Sequence, residues 1–476
     1  MYNVAMVSDR INGSGMRTRL SSSDWSAAAL VAGAVTLVLT LWPYPIPHPC
    51  TWDSIGVAAG LNPATAEFPG LAPFVLRMLF NSFGPGGGLA AGTVGAHLLA
   101  GATAGLWCFV FRQLLEFAGR LDMSDKLWNH KICPALAAAG AALVAFSEPV
   151  WTSSQMLTSA GIDMFLAAFG FAVMLRFIAR GRRPTGVLAF LTLGILAGDT
   201  PFGVLLLVPV VVLLALSWRM IDARDDIEPV VRLPPIEEFP WTLMGLSWVV
   251  GLGITIAIAD SCFRLSGGTA GDFPVMFDAW SGLLREDSTL KGAIYGASVT
   301  VLPLVFLMAV FPRLTFPESS KPFLLRAACL LAGLVAASQL LDIPELRYRN
   351  WADEDEAIAT TLLPGIYMAC AGAAAMLCVS AFAAMAWCHE TRFGKMLIRL
   401  GRFAVIITVF AVVCRAGLGR QCHEVRAKLD KVDARITSML EEVKGTDVIN
   451  SSRLDVMLQL RAQSMGRKLT IVKDGE

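Results

Sequence analysis

Residues 88–111 read GLAAGTVGAHLLAGATAGLWCFVF, a run with no charged side chain and only His97 to titrate near neutral pH. About 20 helical residues cross a bilayer core of ~30 Å, so this stretch is long enough to span and too apolar to sit in water. Comparable runs recur on both sides of it, from residue 24 to residue 418. Apolar residues make up 55% of the 476-residue chain and charged ones 16%, with a mean hydropathy of +0.59. An average soluble protein carries roughly 25% charged residues, so a water-soluble fold is excluded. The reading is an all-α integral membrane protein with about eleven transmembrane helices.

The expected spans are 24–43, 88–111, 132–150, 161–179, 186–198, 202–217, 241–261, 292–312, 324–343, 362–387 and 403–418. Residues 1–23 form a polar tail before them and 419–476 a helical tail after them, with 24–418 as one polytopic domain. The first run is too long for a signal-peptide core and is expected to remain as an anchor. Basic residues collect in alternate loops if residues 1–23 are cytoplasmic, which is how orientation is set. The outside loops as far as residue 361 then hold only Arg77, Arg264, Arg285, Lys291, Arg347 and Arg349. The break Gly198-Asp199-Thr200-Pro201 is either a turn between two short spans or a kink in one helix. The charge alternation downstream favours two spans. A multi-pass membrane location follows from the whole pattern.

Alternation places the C-terminal tail outside, whereas its own basic residues argue for inside. Within it Val425, Leu429, Val432, Ile436, Met439 and Val443 recur at spacings of four and three, an a/d seam. That seam serves either a coiled coil, through self-association or a protein partner docking on 421–464, or a helix folded back on its own protein. A net charge of +1 gives no reason to expect nucleic acid. The ten cysteines have no CxxC spacing, so no metal site is expected. Cys50 and Cys262 would both face an oxidising exterior, where a bridge would tie two loops together.

Tyr44 to Gly87 is a long first external loop, and long ordered loops at membrane faces carry function. Asp53 stands just beyond the first span, where a carboxylate can take a proton from an acceptor hydroxyl; a solvated loop aspartate is the plainer alternative. Arg347 and Arg349 sit at the external interface, where a guanidinium fork can grip a lipid phosphate or simply anchor the helix. Arg77 is the only basic residue of the first loop. Asp163 and Asp199 fall near the external ends of their spans, and intramembrane carboxylates warrant a functional reading.

Three segments carry a resemblance to a known family. They are Trp52-Asp53-Ser54 with Glu67-Phe68-Pro69-Gly70-Leu71-Ala72-Pro73, then Phe146-Ser147-Glu148-Pro149-Val150-Trp151, then Gly198-Asp199-Thr200-Pro201-Phe202-Gly203. In order, they resemble an uncharacterised bacterial membrane family related to protein O-mannosyltransferases. The resemblance implies a GT-C-type fold, with Asp53 as catalytic base and Glu67, Arg77, Arg347 and Arg349 about the substrate. It also implies a polyprenyl-phosphate sugar as donor substrate, no separate cofactor, and transfer to an acceptor hydroxyl on the external face. The chain departs from the family pattern at Ile55-Gly56, where Gly-Glu is common, and at Gln155 to Thr158, where acidic residues stand. A non-catalytic scaffold or complex subunit that kept the fold is therefore the alternative. A transporter ranks last, because no half-to-half repeat is visible.

Overall fold

The computed structural model describes residues 22–47, 52–59, 70–122, 133–147, 150–151, 154–200, 202–222, 233–265, 273–283, 370–375, 377–379, 381–382, 420–442, 447–449, 454–465 and 470–472. The expected spans at 292–312, 324–343 and 403–418 lie outside them. Of 362–387, the described part is helical.

The apolar runs become helices: α1 (Ser22–Leu41), α2 (Trp52–Ala59), α3 (Leu71–Asp122), α4 (Cys133–Ala145), α5 (Ser159–Arg180) and α6 (Arg183–Asp199). They continue with α7 (Phe202–Leu205), α8 (Leu207–Asp222), α9 (Trp241–Leu265) and α10 (Phe273–Leu283). Among the described residues, three stretches, 71–116, 159–180 and 241–264, are long and apolar enough to cross a membrane. Side chains on the outer faces reinforce that reading. Leu30, Leu37, Val94, Leu98, Leu246, Val249 and Val250 are exposed, while Arg112, Asp163 and Asp199 are buried. An apolar exterior around a partly polar interior suits lipid rather than water.

The α3 element is two helices joined at a corner. Gly84 takes φ 73° and ψ 176°, outside helical geometry, and Pro85 follows it. Before the corner lies the amphipathic stretch of the first loop; after it comes the span expected at 88–111, which runs on to residue 122. That extension carries Arg112 into the interior, where its Nε donates to Glu116 Oε1 at 2.8 Å.

Glycine sets the helix spacing. A Cβ on Gly194 would lie 2.0 Å from the Trp248 carbonyl oxygen, and one on Gly251 would lie 2.3 Å from the Leu191 carbonyl oxygen. The backbones of α6 and α9 touch there, as small residues allow in membrane helices. The contact lets Thr255 Oγ1 donate across it to the Ile195 carbonyl at 3.0 Å.

The break at 198–201 is a reversal. A Cβ on Gly203 would fall 2.6 Å from the Ala197 backbone nitrogen, so the chain has turned back onto the last turn of α6. A kinked helix would have carried residue 203 well beyond residue 197. The chain turns there and does not continue as one kinked helix.

Beyond the membrane helices come α11 (Arg420–Glu442), β1 (Asp447–Ile449), α12 (Leu454–Ser464) and β2 (Thr470–Val472). The strands pair in parallel, Val448 opposite Ile471, which departs from the purely helical expectation. The a/d seam is used internally: Leu429 and Ile436 are buried in the same apolar cluster as Trp52, Ile55 and Leu76. Arg461 of α12 pairs with Asp433 of α11, and α12 packs on α2 and α3. No coiled coil is seen among the described residues. The tail shares a face of the protein with the first loop. Cys262 is buried in α9, and Cys50 lies outside the described residues.

Candidate functional site

At the face that carries the first loop, three chain reversals converge. Gly70 is the last residue before α3 and has φ +68°. A Cβ there would sit 2.8 Å from Ser159 Oγ and 3.2 Å from Asp199 Oδ1, so both the backbone angle and the space require glycine. The next residue, Leu71, donates its backbone N–H to Asp199 Oδ1 at 2.5 Å. Asp199 ends α6, yet it satisfies a first-turn N–H of α3, a group that has no partner inside its own helix.

Asp163 lies one turn into α5. Thr158 caps that helix, its Oγ1 accepting the Gly161 N–H at 2.9 Å, an arrangement worth about 1 kcal/mol. The cap aims the start of α5 at the end of α6, and the carboxyl groups of Asp163 and Asp199 come within hydrogen-bonding reach of each other. Both residues are buried, at 3% and 6% exposure. Asp163 Oδ1 and Asp199 Oδ2 have no donor among the described residues. On the far side of α6, Trp280 Nε1 of α10 donates to the Ala197 carbonyl at 2.9 Å, bracing the helix end.

A second polar group flanks this pair. Gln155 Oε1 accepts the Tyr44 N–H at 3.3 Å, and His97 lies beside Gln155 and Thr40. Ser154, Met156, Leu157 and Thr158 line a small cavity together with Ala96, Thr103 and Trp107. Its wall is apolar apart from hydroxyls at Thr103, Ser154 and Thr158.

No family model matches this chain, and no curated protein matches it. Among solved structures, the crystal structure of ArnT from Cupriavidus metallidurans in the apo state is similar to it. The two are 14% identical over 95% of this chain and 85% of that one, with a TM-score of 0.43. At so low a TM-score the functional reading rests on this chain's own residues.

Among the residues singled out from sequence, Asp53 stands on α2, whose Trp52 is buried with Nε1 donating to the Pro47 carbonyl at 2.9 Å. Arg77 is half-buried on the first segment of α3. Glu67, Arg347 and Arg349 lie outside the described residues. Asp163 and Asp199 were legible only as separate intramembrane carboxylates; their pairing was not. One signal pointed to it, since both fall at the same ends of consecutive expected spans.

Proposed function

We propose that this chain is a membrane glycosyltransferase-like protein that moves a sugar from a polyprenyl-phosphate donor to an acceptor hydroxyl at the face carrying the first loop. The observation that supports it most is the fastening of that loop. Gly70 and Leu71 are pinned to Ser159 and Asp199, while α2, which bears Asp53, packs on α3 under the tail helix α12. A catalytic carboxylate needs a rigid base of this kind, because misplacement by an ångström costs orders of magnitude in rate.

In this reading the acceptor oxygen attacks the anomeric carbon as its proton passes to Asp53. The bond from that carbon to the phosphate oxygen breaks, and the lipid phosphate leaves with the electron pair. Arg77, Arg347 and Arg349 hold the phosphate charge, and Glu67 orients the sugar. The membrane is the source of the donor, and the external side of the bacterial cytoplasmic membrane is where the transfer takes place.

The test is transfer of radiolabelled sugar from polyprenyl-phosphate donors in membranes containing the full chain. Transfer by the wild type that Asp53→Asn abolishes supports the reading. A folded protein that transfers from no such donor removes it.

The scaffold alternative keeps one observation in its favour: Gln155 and Thr158 are engaged in structural hydrogen bonds where the resembling family has acidic residues. Of its docking seam, Leu429 and Ile436 are buried in the protein's own apolar cluster, with Val432 and Met439 packed against it.

A further inference from the structure

The pair formed by Asp163 and Asp199 has no role in the transfer step above. Its surroundings set an electrostatic problem. The groups acting on the two carboxyls are each other and the Leu71 N–H, with no basic side chain of the described residues among them. An ionised carboxylate only accepts hydrogen bonds, so neither can satisfy the other. Burying like charges side by side without a counter-charge is strongly unfavourable.

Helix ends offset part of this charge. The N-termini of α3 and α5 arrive at Leu71 and Ser159, each contributing roughly half a positive charge, while the C-terminus of α6 at Asp199 adds a similar negative one. With both carboxyls ionised, the balance among the described residues remains more than one charge negative. Two buried oxygens, Asp163 Oδ1 and Asp199 Oδ2, lack a donor among the described residues. Ser159 Oγ stands across Gly70 from Asp199. All of these are oxygen donors; sulfur and imidazole are not part of the group, which selects against soft metals.

We infer that Asp163, Asp199 and Ser159 form a binding site for one hard divalent cation of the Mg²⁺ or Ca²⁺ class, clasped where the first loop meets α5 and α6. Two carboxylates match the charge of such an ion, and water completes the shell, as is usual for Mg²⁺ and common for Ca²⁺. The ion would tie α5 to α6 at the point where Asp199 holds Leu71, so its binding and the anchoring of the first loop are coupled. This inference stands whether or not the protein transfers sugar.

The experiment uses the purified full chain in detergent, stripped with EDTA, with Mn²⁺ as the spectroscopic probe. Electron paramagnetic resonance counts bound Mn²⁺, Mg²⁺ and Ca²⁺ are used as competitors, and thermal unfolding is followed in parallel. The expected result is one saturable Mn²⁺ displaced by Mg²⁺ or Ca²⁺, with a higher melting temperature when loaded. Asp163→Asn should bind at least about tenfold more weakly. In EDTA the same variant should melt at or above the wild type, because its amide donates to Asp199 instead of repelling it. If that variant fails to fold, Ser159→Ala must weaken binding instead. Wild type that leaves Mn²⁺ free at millimolar concentration, or an Asp163→Asn protein that binds as tightly as wild type, overturns the site. The pair would then be held by a shared proton.

Discussion

The backbone N–H of Leu71 and the side-chain oxygen Oδ1 of Asp199 meet at 2.5 Å across a separation of 128 residues. Through that bond, the end of the sixth helix caps the start of the third and fastens a loop at the membrane face to the helical interior.

Replacing Asp199 by alanine removes the acceptor and leaves a buried N–H unsatisfied. The expected cost is about 1–3 kcal/mol, read as a lower melting temperature and faster hydrogen exchange across α2 and the first turns of α3. Asp199→Asn retains an acceptor oxygen, so it should lose less. Equal losses in the two variants would refute the capping role.

Gly70→Ala meets two obstacles, the positive φ and the contact with Ser159 Oγ. A left-handed backbone at a non-glycine residue costs about 1 kcal/mol or more, and the clash adds to it. Gly95 provides the control, since a Cβ there meets nothing within 4 Å. Gly95→Ala in the interior of α3 should be neutral or stabilising. Thermal unfolding of both variants in one detergent decides the point.

Gly194→Leu should force α6 away from α9, because even a Cβ would lie 2.0 Å from the Trp248 carbonyl oxygen. Overpacking of this kind costs at least about 1–3 kcal/mol. A sharper readout is the bond from Thr255 to the Ile195 carbonyl, which cannot survive the separation. Cysteine cross-linking between the two helices should fall off in the variant.

Ile436→Asp places a charge in the cluster that joins the tail to the first loop. Breaking this packing should cost several kcal/mol and raise hydrogen exchange in α2 as well as in α11. A variant that changed only the oligomeric state, with exchange in α2 unaltered, would restore the coiled-coil reading of the seam.

Much of the helical layout was legible because its signal is local. Residues 88–111 and 241–261 carry enough consecutive apolar side chains to declare a helix without reference to anything else, and Gly198 and Pro201 marked a break after which the charge alternation favoured a turn over a kink. The seam in the tail was also legible as a pattern, but not its partner: Leu429 and Ile436 repeat in the same way whether they face a second chain or the apolar interior of their own. The corner at Gly84 was hidden for a related reason, since a glycine before a proline within an apolar stretch fits a loop as well as a bend.

For the site, composition placed Asp163 and Asp199 near one face of the membrane and marked Gly70 as part of a distinctive element. Nothing local could say that these three, with Leu71 and Ser159, would share one point. Hydropathy and charge determine which segments enter the membrane and how the chain alternates, because each helix must satisfy its own backbone in lipid. Which carboxylates face each other depends on helix rotation and on backbone contacts such as that between Gly194 and Trp248. Those are set by side chains far apart in sequence, and only the tertiary structure decides them.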